Sequence, residues 1–333
     1  MSDGQGFFTL IQNLRIWALT FIICPKRFLW KAFELGTSGK MMKVLVTGAN
    51  GQLGSEICFL QDEFKDLNFV FVDKNALDIT DEKAVFAALC QDKFDAVVNC
   101  AAFTAVDKAQ NESQRAFAVN EKGALHLAKA CKMSGARLVH ISTDYVFDGK
   151  ASKPLAESDN TAPLGVYGAS KRAGELAILS ENLSKSCIIR TSWLYSEFGS
   201  NFVKTIARLA LTKEEISVVS DQVGSPTNAR DLARAICTIL PKLDTLNGTE
   251  IFHYANEGVA SWWEFACEIV RILGASCVVK SVSSSEYLAM NADKIIAPRP
   301  FYSVLDTSKI KAHFKLTIPQ WKESLAKFDF SKI

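Results

Sequence analysis

Short apolar runs alternate along this chain with longer segments in which apolar residues recur every three or four positions. The short runs, the first of which is Lys-Val-Leu-Val-Thr at residues 43–47, are typical of strands buried in a parallel sheet. The predicted strands are residues 43–47, 69–73, 95–99, 137–141 and 187–190, and the predicted helices are residues 55–61, 84–89, 117–132 and 167–180. Strands that alternate with helices predict an α/β fold, a Rossmann-type doubly wound parallel sheet with right-handed crossovers.

The alternation weakens after residue 190, which predicts a second, smaller domain. Helical spacing recurs at residues 201–211, 229–240 and 261–273, and strand-like runs lie at residues 215–219 and 251–255. We expect residues 215–219 to return to the main sheet. The predicted division is a Rossmann domain of residues 42–190 and 216–256, and a smaller, partly interleaved C-terminal domain of residues 191–215 and 257–330.

The segment before this pattern, residues 1–41, differs in character. Its apolar run at residues 16–24 is too short to cross a membrane, and its basic residues follow the run, unlike those of a signal peptide. Its aromatic residues could support a helix on a membrane surface, which would be the chain's only membrane contact. We expect instead an N-terminal extension outside the fold, with the domain beginning at Met41 or Met42.

The composition of the chain excludes some classes of protein and some kinds of site. Of the 333 residues, 48% are hydrophobic and 22% charged, which is typical of a globular protein and excludes disordered and collagen-like classes. The net charge of +2 gives no basis for a nucleic-acid partner. The nine cysteines form no CxxC pair, which favours reduced thiols and a cytoplasmic location. The four histidines form no HxxxH or HxH pair, so we expect no metal site.

A glycine-rich turn, Gly48-Ala-Asn-Gly51-Gln-Leu-Gly54, follows the first predicted strand directly and opens a helix. A helix N-terminus presents free N–H groups and a positive dipole end, and glycines allow close approach of a pyrophosphate. The spacing is GxxGxxG rather than GxGxxG. Its place between strand and helix predicts dinucleotide binding.

Acidic residues follow the second strand. Asp73 ends that strand, where a carboxylate can accept hydrogen bonds from an adenosine ribose, which favours NADH. Lys74 beside it could balance a 2′-phosphate, so NADPH stays open. Asp78 and Ile79 could flank the adenine.

Tyr167 and Lys171 are four residues apart on a predicted helix and so share one helix face. A lysine ammonium favours the phenolate, so we expect Lys171 to lower the pKa of Tyr167. Lys171 can also hold the ribose hydroxyls of a nicotinamide nucleotide. The pair alone is a weak signal, and it gains value from following the fourth strand.

Ser142-Thr143-Asp144-Tyr145 lies at the carboxyl end of that fourth strand, where open α/β sheets bind ligands. The Thr143 hydroxyl can bind a carbonyl oxygen as negative charge develops. With Tyr167 as proton donor and Lys171 as electrostatic support, these residues predict a carbonyl reductase site. Asn120 could hold a water for proton relay.

Together these features resemble the extended short-chain dehydrogenase/reductase family, through nearly all of residues 42–330. The matching stretches are VLVTGANGQLGSE (44–56), DAVVNCAAFTAVDKAQ (95–110), HISTDYVFDG (140–149), APLGVYGASKRAGE (162–175), IIRTSWLY (188–195), NFVKT (201–205), DQVGSPT (221–227) and RPFYSVLDTSKI (299–310). The resemblance implies a cofactor, NADPH or NADH, in the Rossmann domain and a nucleotide-sugar in the smaller one. It implies reduction of the C4 ketone of dTDP-4-dehydro-L-rhamnose to dTDP-L-rhamnose.

The resemblance also implies roles for individual residues. The implied cofactor-binding residues are Gly48, Gly51, Gln52, Leu53, Gly54, Asp73, Asp78, Ile79, Ala102, Phe103, Thr104, Tyr167 and Lys171. The implied catalytic residues are Thr143, Tyr167 and Lys171. The implied substrate-binding residues are Thr143, Asp144, Tyr145, Trp193 and Arg299, the last of them for the diphosphate. Phe103 departs from the family pattern, where His or Tyr is expected.

The family leaves alternatives open. One is a nucleotide-sugar epimerase or dehydratase with retained NAD, although the dehydratases carry Asp-Glu where this chain has Asp144-Tyr145. Another is a non-catalytic regulatory subunit resembling the beta subunit of methionine adenosyltransferase. Some members dimerise through carboxylates and a metal. Glu56 matches one such position, but Arg230 stands where another acid is needed, which favours a monomer.

Overall fold

The structure, a computed structural model, describes residues 41–333. The two hypotheses for the N-terminal segment of residues 1–41, an extension outside the fold and a helix on a membrane surface, fall on residues that lie, except for Met41, outside that range. Within residues 41–333, no helix is long and apolar enough to span a membrane.

The strands and helices follow the predicted order closely. The strands are β1 (Met42–Thr47), β2 (Leu67–Val72), β3 (Ala96–Asn99), β4 (Arg137–Thr143), β5 (Ser186–Thr191), β6 (Leu194–Tyr195), β7 (Glu215–Val219), β8 (Val223–Gly224), β9 (Thr227–Asn228), β10 (Thr249–His253), β11 (Ala260–Ser261) and β12 (Val278–Val282). The α-helices are α1 (Gln52–Leu60), α2 (Glu82–Asp92), α3 (Val106–Ala109), α4 (Ser113–Phe117), α5 (Ala124–Ser134), α6 (Val166–Ser180), α7 (Phe202–Thr212), α8 (Ala229–Ile239), α9 (Trp262–Leu273), α10 (Ser284–Met290), α11 (Ser308–Phe314) and α12 (Trp321–Ala326).

The main sheet has six parallel strands in the order β10-β5-β4-β3-β1-β2. Successive side chains of a strand point to opposite faces of a sheet. Val44 and Val46 accordingly pack into one apolar core, and Leu45 packs into a second core on the other face. Both faces are covered, as a parallel sheet requires, and the predicted α/β fold is confirmed.

The strand β7 does not return to the main sheet, so that prediction is wrong. It pairs in parallel with β12 instead. Its buried Ile216 and Val218 pack into a third apolar core with Phe265 and Ile269 of α9. The reason is visible in its pattern: exposed and buried positions alternate at its start, whereas a strand inside the main sheet is buried on both faces.

The two predicted domains are interwoven more deeply than expected. Ile310 and Phe314 of α11, in the C-terminal part, pack into the same apolar core as β1 and α8. The predicted helix of residues 117–132 is also broken, because Ala118–Gly123 form a π-helical turn between α4 and α5. Such turns are frequent at functional sites, and this one contains Asn120.

Candidate active site

The glycine-rich turn joins β1 to α1 and can be built only from glycine at two positions. Gly48 has a φ of +68°, and a Cβ there would lie 2.6 Å from the backbone nitrogen of Ala101. A Cβ on Gly54 would collide with the carbonyl oxygen of Gly48. Gly51 begins α1 in extended conformation, and the first turn of α1, which contains Gln52 and Leu53, carries no acidic residue. The turn therefore offers an unblocked helix N-terminus that fits a pyrophosphate.

The acids after β2 are held in place by hydrogen bonds. Asp73 accepts from the side chain of Asn50 at 2.9 Å and from the backbone nitrogens of Asn75 and Ala76 at 3.0 Å each. Lys74 is largely exposed, and its Nζ lies 3.5 Å from Asp78 Oδ2. Asp73 thus shapes the turn as well as presenting its charge, whereas Lys74 pairs with Asp78.

The two acids are followed by a buried residue. Ile79 is almost fully buried and packs closely on Gly123 of the π-helical turn. Its carbonyl oxygen lies 3.0 Å from Nδ1 of His126 on α5. The residues predicted to bind the adenosine therefore lie on a loop that packs against the π-helical turn and α5.

The loop after β3, which contains Ala102, Phe103 and Thr104, is fixed by Asn120. The Asn120 Oδ1 accepts from the backbone N–H of Phe103 at 2.8 Å, and its Nδ2 donates to Phe103 O at 3.0 Å and to Ser170 Oγ at 2.9 Å. Both amide hydrogens are used, so the predicted water relay through Asn120 would have to use its oxygen alone. In the structure Asn120 positions the loop.

Thr143 and Tyr167 come together from β4 and the first turn of α6. Thr143 ends β4 and is buried, and its hydroxyl donates to Asp144 Oδ1 at 3.0 Å. Burial raises the pKa of Tyr167 to about 12, a hydrogen bond with Thr143 opposes the rise, and Asp144 adds to it. The prediction that Lys171 lowers this pKa is wrong for this structure.

Lys171 is directed away from the tyrosine. Its Nζ donates to the carbonyl oxygen of Ile141 at 2.6 Å and lies 3.4 Å from Nε2 of His140. Burial lowers the pKa of Lys171 to about 8, whereas Glu175 and Cys100 act to raise it. The ammonium is thus stabilised by a backbone oxygen on β4 rather than by Tyr167.

Two glycines let α6 approach its neighbours. A Cβ on Gly168 would collide with the carbonyl oxygen of Tyr145, and one on Gly174 would collide with that of Asn120. The rings of Tyr145 and Tyr167 consequently lie edge to face, 5.5 Å apart. The glycine within Tyr-Gly-Ala-Ser-Lys therefore brings Tyr167 to the end of β4.

An ion pair beneath α6 was missed in the sequence. Glu175 is fully buried and accepts two hydrogen bonds of 2.8 Å from the buried Arg190 of β5. It also accepts from Ser142 Oγ at 2.6 Å and from Arg172 at 2.9 Å. The pair ties α6 to β4 and β5 and so fixes the helix face that carries Lys171. The available signal was an arginine inside the apolar run Cys-Ile-Ile-Arg.

The substrate-side residues include an unpaired buried oxygen. Asp144 is buried, and within residues 41–333 its Oδ2 has no hydrogen-bond partner. Burial raises the pKa of Asp144 to about 6, and the Ser303 and Thr143 side chains act to lower it. An unpaired buried acceptor is costly, so Asp144 is suited to bind a hydroxyl of a ligand.

Trp193 has an unusual backbone, with a φ of +47°. Its indole stacks on Trp262 of α9, with ring centroids 3.6 Å apart and planes 7° from parallel. A Cβ on Gly224 would lie 2.6 Å from Cε2 of Trp193. A strained residue held by packing is typical of a binding site.

The side chain of Arg299 forms hydrogen bonds within the chain. Its guanidinium donates to Asp107 Oδ2 at 2.9 Å and to Ala297 O at 3.0 Å, and Asp107 Oδ1 accepts from the backbone nitrogen of Ala297. Asp107 thus holds the segment around Arg299 in place. Arg299 was predicted from the sequence, whereas its partner was not.

Glu56 and Arg230 stand at positions where some family members dimerise through carboxylates and a metal. In this structure the two side chains form an ion pair. Arg230 Nε donates to Glu56 Oε2 at 2.8 Å, and Ser196 Oγ donates to Glu56 Oε1 at 2.7 Å. Arg230 also pairs with Glu197 at 3.1 Å. The negative charge of the buried Glu56 carboxylate is balanced by Arg230 within the chain.

Comparison with known proteins gives the same picture over the same range. Residues 42–329 match the family model described as the RmlD substrate binding domain. The chain is 41% identical over 288 residues to the spore coat polysaccharide biosynthesis protein SpsK of Bacillus subtilis (strain 168), covering 86% of this chain and 97% of that protein. It is 38% identical over 290 residues to the dTDP-4-dehydrorhamnose reductase of Sinorhizobium fredii (strain NBRC 101917 / NGR234), covering 85% and 95%.

A solved structure is similarly close. The dTDP-4-dehydrorhamnose reductase of Bacillus anthracis str. Ames in complex with NADP matches with a TM-score of 0.79 and 39% identity, covering 86% of this chain and 98% of that one. The family resemblance inferred from the sequence motifs is therefore confirmed.

Proposed function

The chain belongs to the family described as the RmlD substrate binding domain, and from this premise we propose that it is a NADPH- or NADH-dependent reductase. It reduces the C4 ketone of dTDP-4-dehydro-L-rhamnose to dTDP-L-rhamnose. The observation that carries the proposal is the meeting of Thr143 and Tyr167 at the end of β4, with Lys171 one turn further along α6. Oxidation of reduced cofactor that depends on the keto sugar tests it.

The residues around the glycine-rich turn fit the cofactor. We assign Gly48, Gly51, Gln52, Leu53 and Gly54 to its pyrophosphate, since this helix N-terminus is free of acidic side chains. Asp73, Asp78 and Ile79 are assigned to the adenosine, and the Asn120-held loop of Ala102, Phe103 and Thr104 to the remainder. When bound, the reduced nicotinamide supplies a hydride to the ketone carbon.

The chain's own residues supply the proton and the charge stabilisation. Because its pKa is raised to about 12 by burial, Tyr167 is protonated at neutral pH and can donate its phenolic proton to the ketone oxygen. Thr143 can turn its hydroxyl hydrogen from Asp144 to the same oxygen as negative charge develops there. Lys171, one helical turn from Tyr167, holds the ribose hydroxyls.

We assign the substrate to the other side of the catalytic residues. The unpaired Oδ2 of Asp144 accepts a sugar hydroxyl, with Tyr145 beside it, and the stacked indole of Trp193 packs on the sugar. Arg299 binds the diphosphate, because a guanidinium pairs well with phosphate oxygens and Asp107 holds it in place.

The proposal also assigns the cofactor and the nucleotide-sugar to different parts of the chain. Residues 42–190 and 220–256 bind the cofactor, and residues 191–219 and 257–330 bind the nucleotide-sugar. The strand β7 belongs to the second part because it pairs with β12. We propose a cytoplasmic location, supported by the cysteines of the described chain, which are free thiols.

Cofactor preference gives a first prediction. Replacing Lys74 with alanine should raise the KM for NADPH roughly two- to fivefold and leave that for NADH unchanged, because an exposed ion pair contributes little. Steady-state kinetics with each cofactor measures this ratio. The exposed Lys65, which precedes the opposite end of β2, is the control, and its alanine variant should leave both values unchanged. An equal effect of Lys74→Ala on both cofactors would contradict the assignment.

The pH profile gives a second prediction. Lys171 donates to the ribose hydroxyls as an ammonium, and its pKa is lowered by burial to about 8. The ammonium is lost as the pH rises through that value, so kcat/KM for reduction should fall above about pH 8. A profile of kcat/KM against pH tests this, and a rate that stays level well into the alkaline range would contradict it.

A further inference from the structure

A buried histidine lies next to Lys171 and has no part in the chemistry described so far. His140 is on β4, is 1% exposed, and places its Nε2 3.4 Å from Lys171 Nζ. Its other ring nitrogen, Nδ1, lies 3.0 Å from the side-chain nitrogen of Asn99, at the end of β3. Burial and the nearby Lys171 hold the pKa of His140 well below its usual range, so the ring is neutral.

The tautomer of that neutral ring follows from a backbone group. The backbone N–H of Ala101 can only donate, and it donates to Asn99 Oδ1 at 3.1 Å. Thr47 Oγ1 donates to the same oxygen at 2.7 Å. The Asn99 amide is therefore oriented with its nitrogen toward His140, and Nδ1 of His140 must accept. A neutral imidazole with an accepting Nδ1 carries its proton on Nε2.

The Nε2–H group then points at Lys171 Nζ, which is itself a donor when protonated. Two donors cannot form a hydrogen bond, so the ammonium is left with the carbonyl oxygen of Ile141 as its acceptor on β4. We propose that His140 is a positioning residue: the chain from Ala101 through Asn99 fixes its Nε2–H tautomer, and this N–H directs the Lys171 ammonium onto Ile141 O. The effect on catalysis rests on the proposed reductase function, whereas the tautomer does not.

Two other groups near Lys171 affect its pKa. Glu175, on the same helix, and Cys100, after β3, both act to raise the pKa of Lys171. Glu175 is tied to Arg190 of β5, so its charge is largely balanced. The His140 N–H is the group on β4 that disfavours the ammonium, and its removal should stabilise the charged form.

The tautomer can be measured directly in the whole protein by nitrogen-15 NMR of labelled histidine. The expected result is an accepting Nδ1 and a protonated Nε2 for His140. His253 is an internal control: its Nδ1 lies 3.0 Å from Leu155 O, a pure acceptor, so it must carry the proton on Nδ1. The Nε2 of His253 lies 3.4 Å from Arg190 Nη1. Two buried neutral histidines should therefore show opposite tautomers. A proton on Nδ1 of His140 would overturn the proposal.

The same spectra report on Lys171 without any turnover. The His140 Nε2 resonance should shift as Lys171 titrates, while that of His253 should not. Loss of reductase activity with this coupling intact would contradict the proposed function alone. A His140 signal that does not respond to pH while the Lys171 amine itself titrates would contradict the positioning role.

A variant extends the test to kinetics. His140→Phe keeps a flat ring but removes the N–H, so the alkaline fall of kcat/KM should move up by roughly half to one pH unit. Thr47→Val is the matched control, because it removes a hydroxyl from Asn99 and leaves the Ala101 N–H to orient the amide. The control should keep both the tautomer and the profile of the wild type. An unchanged profile in a folded His140→Phe enzyme would overturn the proposal.

Discussion

Replacing Tyr167 with phenylalanine is expected to lower kcat about 10²- to 10⁴-fold, which is the usual contribution of a positioned proton donor. The change removes only the phenolic hydroxyl. The ring keeps its edge-to-face contact with Tyr145, and α6 keeps its glycine contacts. Thr143 would remain to polarise the ketone, but the proton donor assigned to the ketone oxygen would be gone. Binding of the cofactor and thermal stability should be close to those of the wild type.

A matched control lies in the third apolar core. Tyr195, on β6, is buried with Phe265 and has no role in the proposed reaction. Tyr195→Phe should therefore fold normally and keep its kcat. Steady-state rates of both variants, with cofactor binding measured by fluorescence, separate a chemical defect from a folding defect. Near-normal turnover by a folded Tyr167→Phe enzyme would show that another group supplies the proton.

Replacing Glu175 with alanine should lower the free energy of unfolding by about 3–5 kcal/mol. Arg190 is 1% exposed and has its Nε and Nη2 on this carboxylate, so the variant would leave a buried guanidinium without its counter-ion. Urea denaturation followed by circular dichroism measures the loss. Because Glu175 and Lys171 are on one face of α6, kcat should fall as well.

The control for this prediction is an exposed pair. Glu215 and Lys280 are 2.6 Å apart, with about half of each side chain accessible, and link β7 to β12. Glu215→Ala should cost about 1 kcal/mol or less, because water and salt screen such pairs. If Glu175→Ala cost no more than Glu215→Ala, the buried pair would not be what fixes α6.

Local patterns predicted most of the fold. The glycine-rich turn, the β4 motif and the Tyr-x-x-x-Lys pair each depend on neighbours in the sequence, and each lies where its pattern indicated. The strand β7 was recognised as a strand, but its partner was wrong. Strand pairing is a long-range property, and residues 215–219 do not specify whether β12 or the main sheet lies beside them.

The features of the site that the sequence did not predict are contacts between side chains that are far apart in the chain. Arg190 in an apolar strand was visible, but its counter-ion on another element was not. Asp107 could not be linked to Arg299, which is 192 residues away. The pKa of Tyr167 was expected to fall because Lys171 is one turn away, whereas the fold turns the ammonium toward Ile141 and burial dominates.

The most direct test of the central claim is the absorbance of the reduced nicotinamide. The protein would be mixed with NADPH, and separately with NADH, before dTDP-4-dehydrorhamnose made by upstream enzymes is added. The predicted result is a decay that needs the keto sugar and yields dTDP-rhamnose. A folded protein that binds either cofactor but gives no decay would contradict the reductase. Tightly retained NAD would then point to the epimerase, and co-purification with a methionine adenosyltransferase catalytic subunit would point to the regulatory role.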